Sequence, residues 1–241
     1  MSQKAVGIIP ARFASSRFPG KPLATILGKS MLHWVLEACQ ASSSLERVIV
    51  ATDDDRICKH ARSLGVEARM TLAAHASGTD RVAEVAAGLD AALIINIQGD
   101  EPLLEPAMID DLTSALRDDA ALMSSLMVRT SDRDQVLDRN IVKVVVDSQR
   151  NALYFSRCPI PFGSSDEYFK HIGIYAYRRQ FLLKLTQLPV SRLEAAEQLE
   201  QLRVLENGYK IKMVECRHNT LSVDTPGDII KVEQFLKNRG Q

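Results

Sequence analysis

The chain lacks an excess of charge, paired cysteines, a long apolar run and the common nucleotide-binding glycine motifs. Its 241 residues carry 30 basic and 30 acidic side chains. That balance excludes a whole-chain attraction to nucleic acid or to a membrane surface. Any anionic ligand must therefore be met by a local cluster of cations. The four cysteines, Cys39, Cys58, Cys158 and Cys216, are far apart and form no C-x-x-C pair. Such spacing argues against a structural zinc site and favours free thiols in a reducing compartment. No segment approaches the length of a membrane span. The apolar start of MSQKAVGIIPARF meets Pro10 and Arg12 too early for a signal peptide, so a cytoplasmic protein is expected. No G-x-G-x-x-G follows the first strand signal, which argues against a dinucleotide-binding oxidoreductase. Gly20-Lys21 leads into Pro22 instead of Ser or Thr, so the loop there is no P-loop. A repeat of 20–50 residues is also missing, which argues against a solenoid.

What is there has the composition of an ordinary globular protein, with 46% hydrophobic and 25% charged residues. The length suits a single domain spanning 1–241. Strand and helix signals alternate through the first half. Ala5 to Pro10, Arg47 to Ala51, Val66 to Met70 and Ala92 to Gln98 read as strands. Helices are expected over Ser30 to Ala41, from the acidic cap at Thr52–Asp55 through Leu64, and over Thr79 to Leu89. Strands apolar on both faces and separated by helices predict a mostly parallel central sheet covered by helices on both faces. The second half reads differently. Ile141 to Asp147 and Ala152 to Ser156 form a predicted hairpin, and Lys170 to Tyr177 another strand. A helix is expected from the capping box at Ser191–Glu194 to Asn207-Gly208, then a strand over Ile211 to Glu215 and a last helix from Thr225-Pro226. The region 141–180 is thus an antiparallel extension, suited to a dimerisation arm.

In an open parallel sheet ligands bind beyond the carboxyl ends of the strands. The loop after the first strand, Ala11 to Pro22 (ARFASSRFPGKP), holds Arg12, Arg17 and Lys21, several small residues and no acid. Small residues let backbone N–H groups approach an anion, while arginine forks and a lysine point charge suit phosphate. A solvated basic loop is the plain alternative. After the fourth strand, Asn96 to Pro102 (NIQGDEP) presents Asp100 at a glycine turn. A carboxylate opposite a basic phosphate loop fits Mg²⁺, which takes one or two protein carboxylates and leaves its other positions to phosphate and water. Asp224, in Ser222 to Pro226, is a second candidate ligand, although a helix cap alone would explain it. His75 to Arg81, with Ser77, Gly78 and Thr79 at a helix start, suits a base or a ribose.

At these residues the chain resembles a known family. PARFASSRFPGKPL, ATDDDRI, SGTDRVAEV, NIQGDEP, ALYFSR, HIGIYAY, LEQLRVLENG and VDTPGDI occur in one order along nearly all of it. Together they are similar to the 3-deoxy-manno-octulosonate cytidylyltransferases. The resemblance implies a GT-A-like α/β nucleotidyltransferase fold, a homodimer, and transfer of CMP from CTP to 3-deoxy-manno-octulosonate (Kdo) for lipopolysaccharide assembly. It implies Arg12 and Lys21, with Ala11 and Arg17 beside them, at the CTP phosphates. Ser77, Gly78, Thr79, Arg81 and Gln98 match the nucleotide site, and Asp100 and Asp224 the magnesium ligands. Arg157, His171, Tyr175, Glu200 and Gln201 match the sugar-acid pocket, and Arg12, Lys21, Asp100 and Asp224 carry catalysis. Relatives acting on 8-amino-Kdo or another sugar acid would look the same in the first half. A non-catalytic nucleotide binder is the rival from another class, and it has no need of two metal carboxylates.

Overall fold

The computed structural model describes residues 5–14, 18–117, 121–163, 167–217 and 220–239. Arg17 lies outside them. The chain divides into two compact units, Met1–Asp110 with Thr220–Gln241, and Asp111–Asn219.

The first unit is built on β1 (Ala5–Ala11), whose AVGIIPA run is buried at six of seven positions. A short 3₁₀ turn (Lys21–Leu23) and the hairpin of β2 (Thr25–Ile26) and β3 (Lys29–Ser30) follow it. Helix α1 (Met31–Ala41) begins at Ser30, whose hydroxyl accepts from the His33 N–H. Next come β4 (Leu45–Thr52), α2 (Asp55–Ser63), β5 (Glu67–Met70), α3 (Gly78–Ala87) and β6 (Leu93–Asn96). Asp54 caps α2, accepting from the Arg56 N–H, as the acidic run predicts. All four strands are parallel: β1 pairs with β4 on one side and β6 on the other, and β5 lies beyond β4. The order β6-β1-β4-β5 means that successive crossovers run outward from β1 to β5, then return past β1 to β6. Right-handed crossovers place α3 on the face opposite α1 and α2. The reversal also makes the β1/β6 boundary a switch point, where a crevice opens beyond the carboxyl ends of the strands.

Helix α4 (Pro106–Ala115) carries the chain into the second unit. There β7 (Met123–Thr130), α5 (Arg133–Leu137), β8 (Lys143–Val146), β9 (Ala152–Ser156), β10 (Tyr168–Arg178) and α6 (Arg179–Leu185) follow in turn. The predicted hairpin is β8–β9, antiparallel, and β8 also pairs with the start of β10. Strand β7 runs antiparallel to β10 and parallel to β11 (Lys212–Glu215). One helix was expected from Ser191 to Asn207, and two are found: α7 (Arg192–Glu197) and α8 (Gln201–Glu206). The break falls at Gln198, which takes a left-handed conformation with φ 55° and closes α7 on itself. A single helix would have carried Glu200 and Gln201 mid-helix; the break puts them at the start of α8 instead.

The chain returns to the first unit through α9 (Pro226–Arg239), starting at the expected proline. Ile26, Met31, Leu103, Val223 and Val232 form a buried cluster there, with Phe18, Trp34 and Phe235 packed against it. The Leu27 N–H, at the turn of the β2–β3 hairpin, donates to Glu233 of α9 at 3.0 Å. Burial of this apolar face fixes the segment just before α9, and with it Asp224.

Candidate active site

At the switch point of the first unit lies a cavity of about 250 Å³. It is lined by Ala11 and Arg12 from the end of β1, Lys21, Ser77 and Gly78 at the start of α3, Arg81, Gln98, Asp100 and Asp224. Thus all the predicted phosphate, nucleotide and metal residues that are described share one crevice, except Thr79, which is buried beside it. Pro10 also lines it, as do His75 from the segment expected at a base or ribose and Gly99 from the turn before Asp100; none of the three is among the expected ligand residues.

Lys21 is the centre of the arrangement. Its Nζ donates to Asp100 Oδ2 at 2.6 Å and to the Val223 carbonyl at 2.9 Å, and lies 3.7 Å from Asp224 Oδ1. The two aspartates, 124 positions apart by their numbers in the chain, therefore face one cation instead of facing apart. Backbone geometry enforces this, because the Val223 N–H donates to the Asp100 carbonyl at 2.9 Å. On the far side, Asp228 accepts from the N–H groups of Asp224 and Thr225 and from the Thr225 hydroxyl, holding the turn that leads into α9. Hydrogen bonds from Lys231 and Thr225 outweigh burial and draw the Asp228 carboxyl down to about 2. Lys21 itself is placed by Gly20, whose φ of 71° favours glycine. A Cβ there would come within 3.0 Å of the Phe13 ring, and the Gly20 N–H closes the basic loop onto the Phe13 carbonyl at 2.9 Å.

The start of α3 is fixed by a reciprocal cap. The Ser77 hydroxyl accepts from the Asp80 N–H at 3.1 Å, and Asp80 accepts from the Ser77 N–H at 3.1 Å. The positive end of this helix thus faces the cavity, as suits an anion or a ribose oxygen. Arg81 is buried, yet paired: its guanidinium donates to Asp53 at 3.1 Å and to the Thr71 hydroxyl. Asp53, which the sequence marks as part of a helix cap, serves Arg81 as well. Gln98 donates to Asn96 at 3.1 Å, and Asn96 to Thr79 at 3.4 Å, so a polar relay links β6 to the start of α3.

The predicted sugar-acid residues lie in the second unit. His171 is buried on β10, edge-on to the Phe155 ring and tilted against Tyr175. Its Nε2 lies 2.8 Å from the Ser125 hydroxyl, which also reaches the carbonyls of Ile172 and Ile174 across the β10 bulge. Burial pushes the imidazole down to about 3, so it is neutral at physiological pH. Burial, and then the Glu200 carboxylate, push the Tyr175 phenol up. Structure therefore brings His171, Tyr175 and Glu200 together, with Gln201 buried at the start of α8. Arg157 is held differently. Its guanidinium donates to the carbonyls of Glu197, Arg139 and Gln198 at 2.9, 3.0 and 3.4 Å. Its own carbonyl accepts from the buried Lys143 at 2.7 Å.

The His171 shift has a consequence for stability. A histidine pushed below its ordinary 6.5 in the folded chain takes up a proton more readily when unfolded. Its contribution is whole above pH about 6.5 and is lost as pH falls towards 3. Urea midpoints measured from pH 7 to pH 4 should fall less steeply for His171→Gln than for the parent; parallel slopes would contradict the assignment.

A family model described as cytidylyltransferase matches residues 6–211. A 3-deoxy-manno-octulosonate cytidylyltransferase of Solibacter usitatus is 50% identical over 242 residues, covering 98% of this chain and 96% of that protein. Another from Geotalea daltonii is 50% identical over 252 residues, covering 98% and 100%. A solved CMP:2-keto-3-deoxy-manno-octonic acid synthetase complexed with CTP superposes with a TM-score of 0.93 at 42% identity, over 98% of this chain and 99% of that one. A cytidylyltransferase from Leptospira borgpetersenii, at 17% identity over 98% of this chain and 87% of that one, shares the fold with a TM-score of 0.67.

Proposed function

The chain belongs to the 3-deoxy-manno-octulosonate cytidylyltransferase family, and we propose that it transfers CMP from CTP to the anomeric hydroxyl of Kdo, releasing pyrophosphate for lipopolysaccharide biosynthesis. One observation carries the reading: the Lys21 ammonium, two carboxylates and a helix N-terminus converge in a single crevice at the sheet's switch point. A pure nucleotide binder has no use for the paired carboxylates.

The hydroxyl oxygen of the sugar acid attacks the α-phosphorus, the bond from that phosphorus to the β-phosphate oxygen breaks, and the hydroxyl proton is released. Catalysis of such a step is mostly positioning and charge neutralisation. Arg12 and Lys21 grip the phosphates and offset charge on the departing pyrophosphate. Ser77, Gly78 and Thr79, with Arg81 and Gln98, hold the nucleoside end. Arg157, His171, Tyr175, Glu200 and Gln201 take the sugar acid; a neutral imidazole and a protonated phenol suit hydroxyl groups, and Arg157 suits the carboxylate.

The oxygen donors fit magnesium. Two carboxylates and the Val223 carbonyl surround one position that a cation, the Lys21 ammonium, already favours. Mg²⁺ bound to Asp100 and Asp224 would supply charge neutralisation at the phosphate oxygens and a lower pKa for the attacking hydroxyl. We place the reaction in the cytoplasm; among the described residues no helix is long and apolar enough to cross a membrane. A homodimer suits the exposed apolar side chains Leu153 and Phe162 in the antiparallel region.

A pyrophosphate-release assay crossing four nucleoside triphosphates with Kdo, its 8-amino analogue and sialic acid tests the proposal. Release with CTP and Kdo supports it. Activity only with another pair replaces it.

A further inference from the structure

Lys21 has two demands on it. In the reading above it grips the triphosphate, yet here its ammonium is committed to Asp100, Asp224 and the Val223 carbonyl. We propose that Lys21 is the resident counter-cation of the two aspartates, so that metal and nucleotide bind as linked events: phosphates draw the ammonium away, and the divalent ion takes the carboxylates it leaves. The inference rests on the assignment of Asp100 and Asp224 as metal ligands and deepens it.

An ammonium 2.6 Å from Asp100 Oδ2 and 3.7 Å from Asp224 Oδ1 opposes, by like charge at short range, any divalent ion that takes both carboxylates. The pair is not a loosely screened surface contact: the Lys21 side chain is 16% exposed and Asp100 28%. Without nucleotide the ammonium has no better partner in its own loop, since residues 11–22 contain no acid. Both carboxylates lie within 4 Å of the one ammonium, whose charge offsets the repulsion between them. A lysine can serve both roles because its charge sits on a flexible four-carbon stem. Arg12 lines the same cavity, so phosphates bound there offer Lys21 an alternative anion within reach. Linkage is then reciprocal: CTP strengthens metal binding by the same factor that metal strengthens CTP binding.

Removing the Lys21 charge should strengthen metal binding, opposite to the ordinary result of deleting an active-site lysine. Mn²⁺ binding to the full chain, followed by the loss of its free-ion electron paramagnetic resonance signal, is measured with and without CTP and with no sugar present. Lys21→Met keeps the stem and removes the charge. It should bind Mn²⁺ without CTP on the order of tenfold more tightly than the parent, and CTP should add less than it does for the parent. Lys21→Arg, still charged, should keep the weak metal binding of the nucleotide-free parent. Mn²⁺ affinity in Lys21→Met equal to or weaker than the parent's, with binding abolished in Asp100→Asn, would overturn the counter-cation role and leave the metal site standing. Undiminished Mn²⁺ binding in both Asp100→Asn and Asp224→Asn with CTP present would remove the metal site itself. Should Lys21→Met lose its circular-dichroism signal, Lys21→Gln is read in the same way.

Discussion

Asp100→Asn is expected to lower turnover by roughly 10²-fold or more, with little change in stability. The substitution keeps the side chain's shape and removes its charge. It leaves the Asp100 carbonyl to accept from the Val223 N–H, so the segment carrying Asp224 stays in place. What is lost is one of the two anions facing the Lys21 ammonium, and with it one of two hard oxygen ligands for the divalent ion. Because that charge acts where negative charge moves during transfer, the loss should fall on kcat more than on KM for Kdo. Pyrophosphate release at saturating CTP and Kdo, alongside a thermal melt, separates the two effects. Near-normal turnover would remove Asp100 from the metal site. Asp224→Asn should behave in parallel, since both carboxylates share one cation.

Arg203→Ala should cost about 3–5 kcal/mol of stability, the usual penalty for leaving one member of a buried ion pair alone. Arg203 donates to both oxygens of Glu194, at 2.8 and 2.5 Å, and the two side chains are 11% and 10% exposed. Glu194 also accepts from the Ser191 N–H at 3.0 Å, so the pair joins the start of α7 to α8. With α8 unanchored, Glu200 and Gln201 at its start lose their fixed place. For a chain of this size the melting temperature should drop on the order of 10 °C. The KM for Kdo should rise while CTP binding, measured by calorimetry, is retained. A melting temperature within about 2 °C of the parent's would mean that the pair contributes nothing net. Equal losses for CTP and Kdo would instead point to general unfolding.

The alternating pattern of the first half was legible because its signals are short-range. AVGIIPA is a continuous apolar run and ALIINIQ nearly one, Asp54 and Ser77 are caps within two or three residues of the N–H groups they serve, and Pro226 opens a helix from its first position. Residues 103–140 carry no clear periodic signal, and β7 shows why. Ser124 and Ser125 interrupt its apolar run, yet both are fully buried. Their hydroxyls are satisfied by the carbonyls of Leu112, Ile172 and Ile174, partners that no local pattern announces. The break between α7 and α8 was hidden for a related reason. Nothing in Glu197-Gln198-Leu199 forbids a helix, and Gln198 takes its left-handed conformation in a segment whose carbonyls receive the Arg157 guanidinium.

By itself the sequence determined the alternation of strands and helices, the basic loop after β1, and the carboxylates at the ends of two separate segments. Each of these is written within a dozen neighbouring residues, as periodicity, caps and charge. Only the tertiary structure decided that the loop with no acid of its own finds its counter-ions 79 and 203 positions away, at Asp100 and Asp224. It also decided that Arg81 is balanced by Asp53 and that carbonyls of the second unit hold Arg157. Charge pairing acts over a few ångströms of space. The distance between two residues is set by the packing of the sheet and of the α9 cluster, which no local stretch of chain encodes.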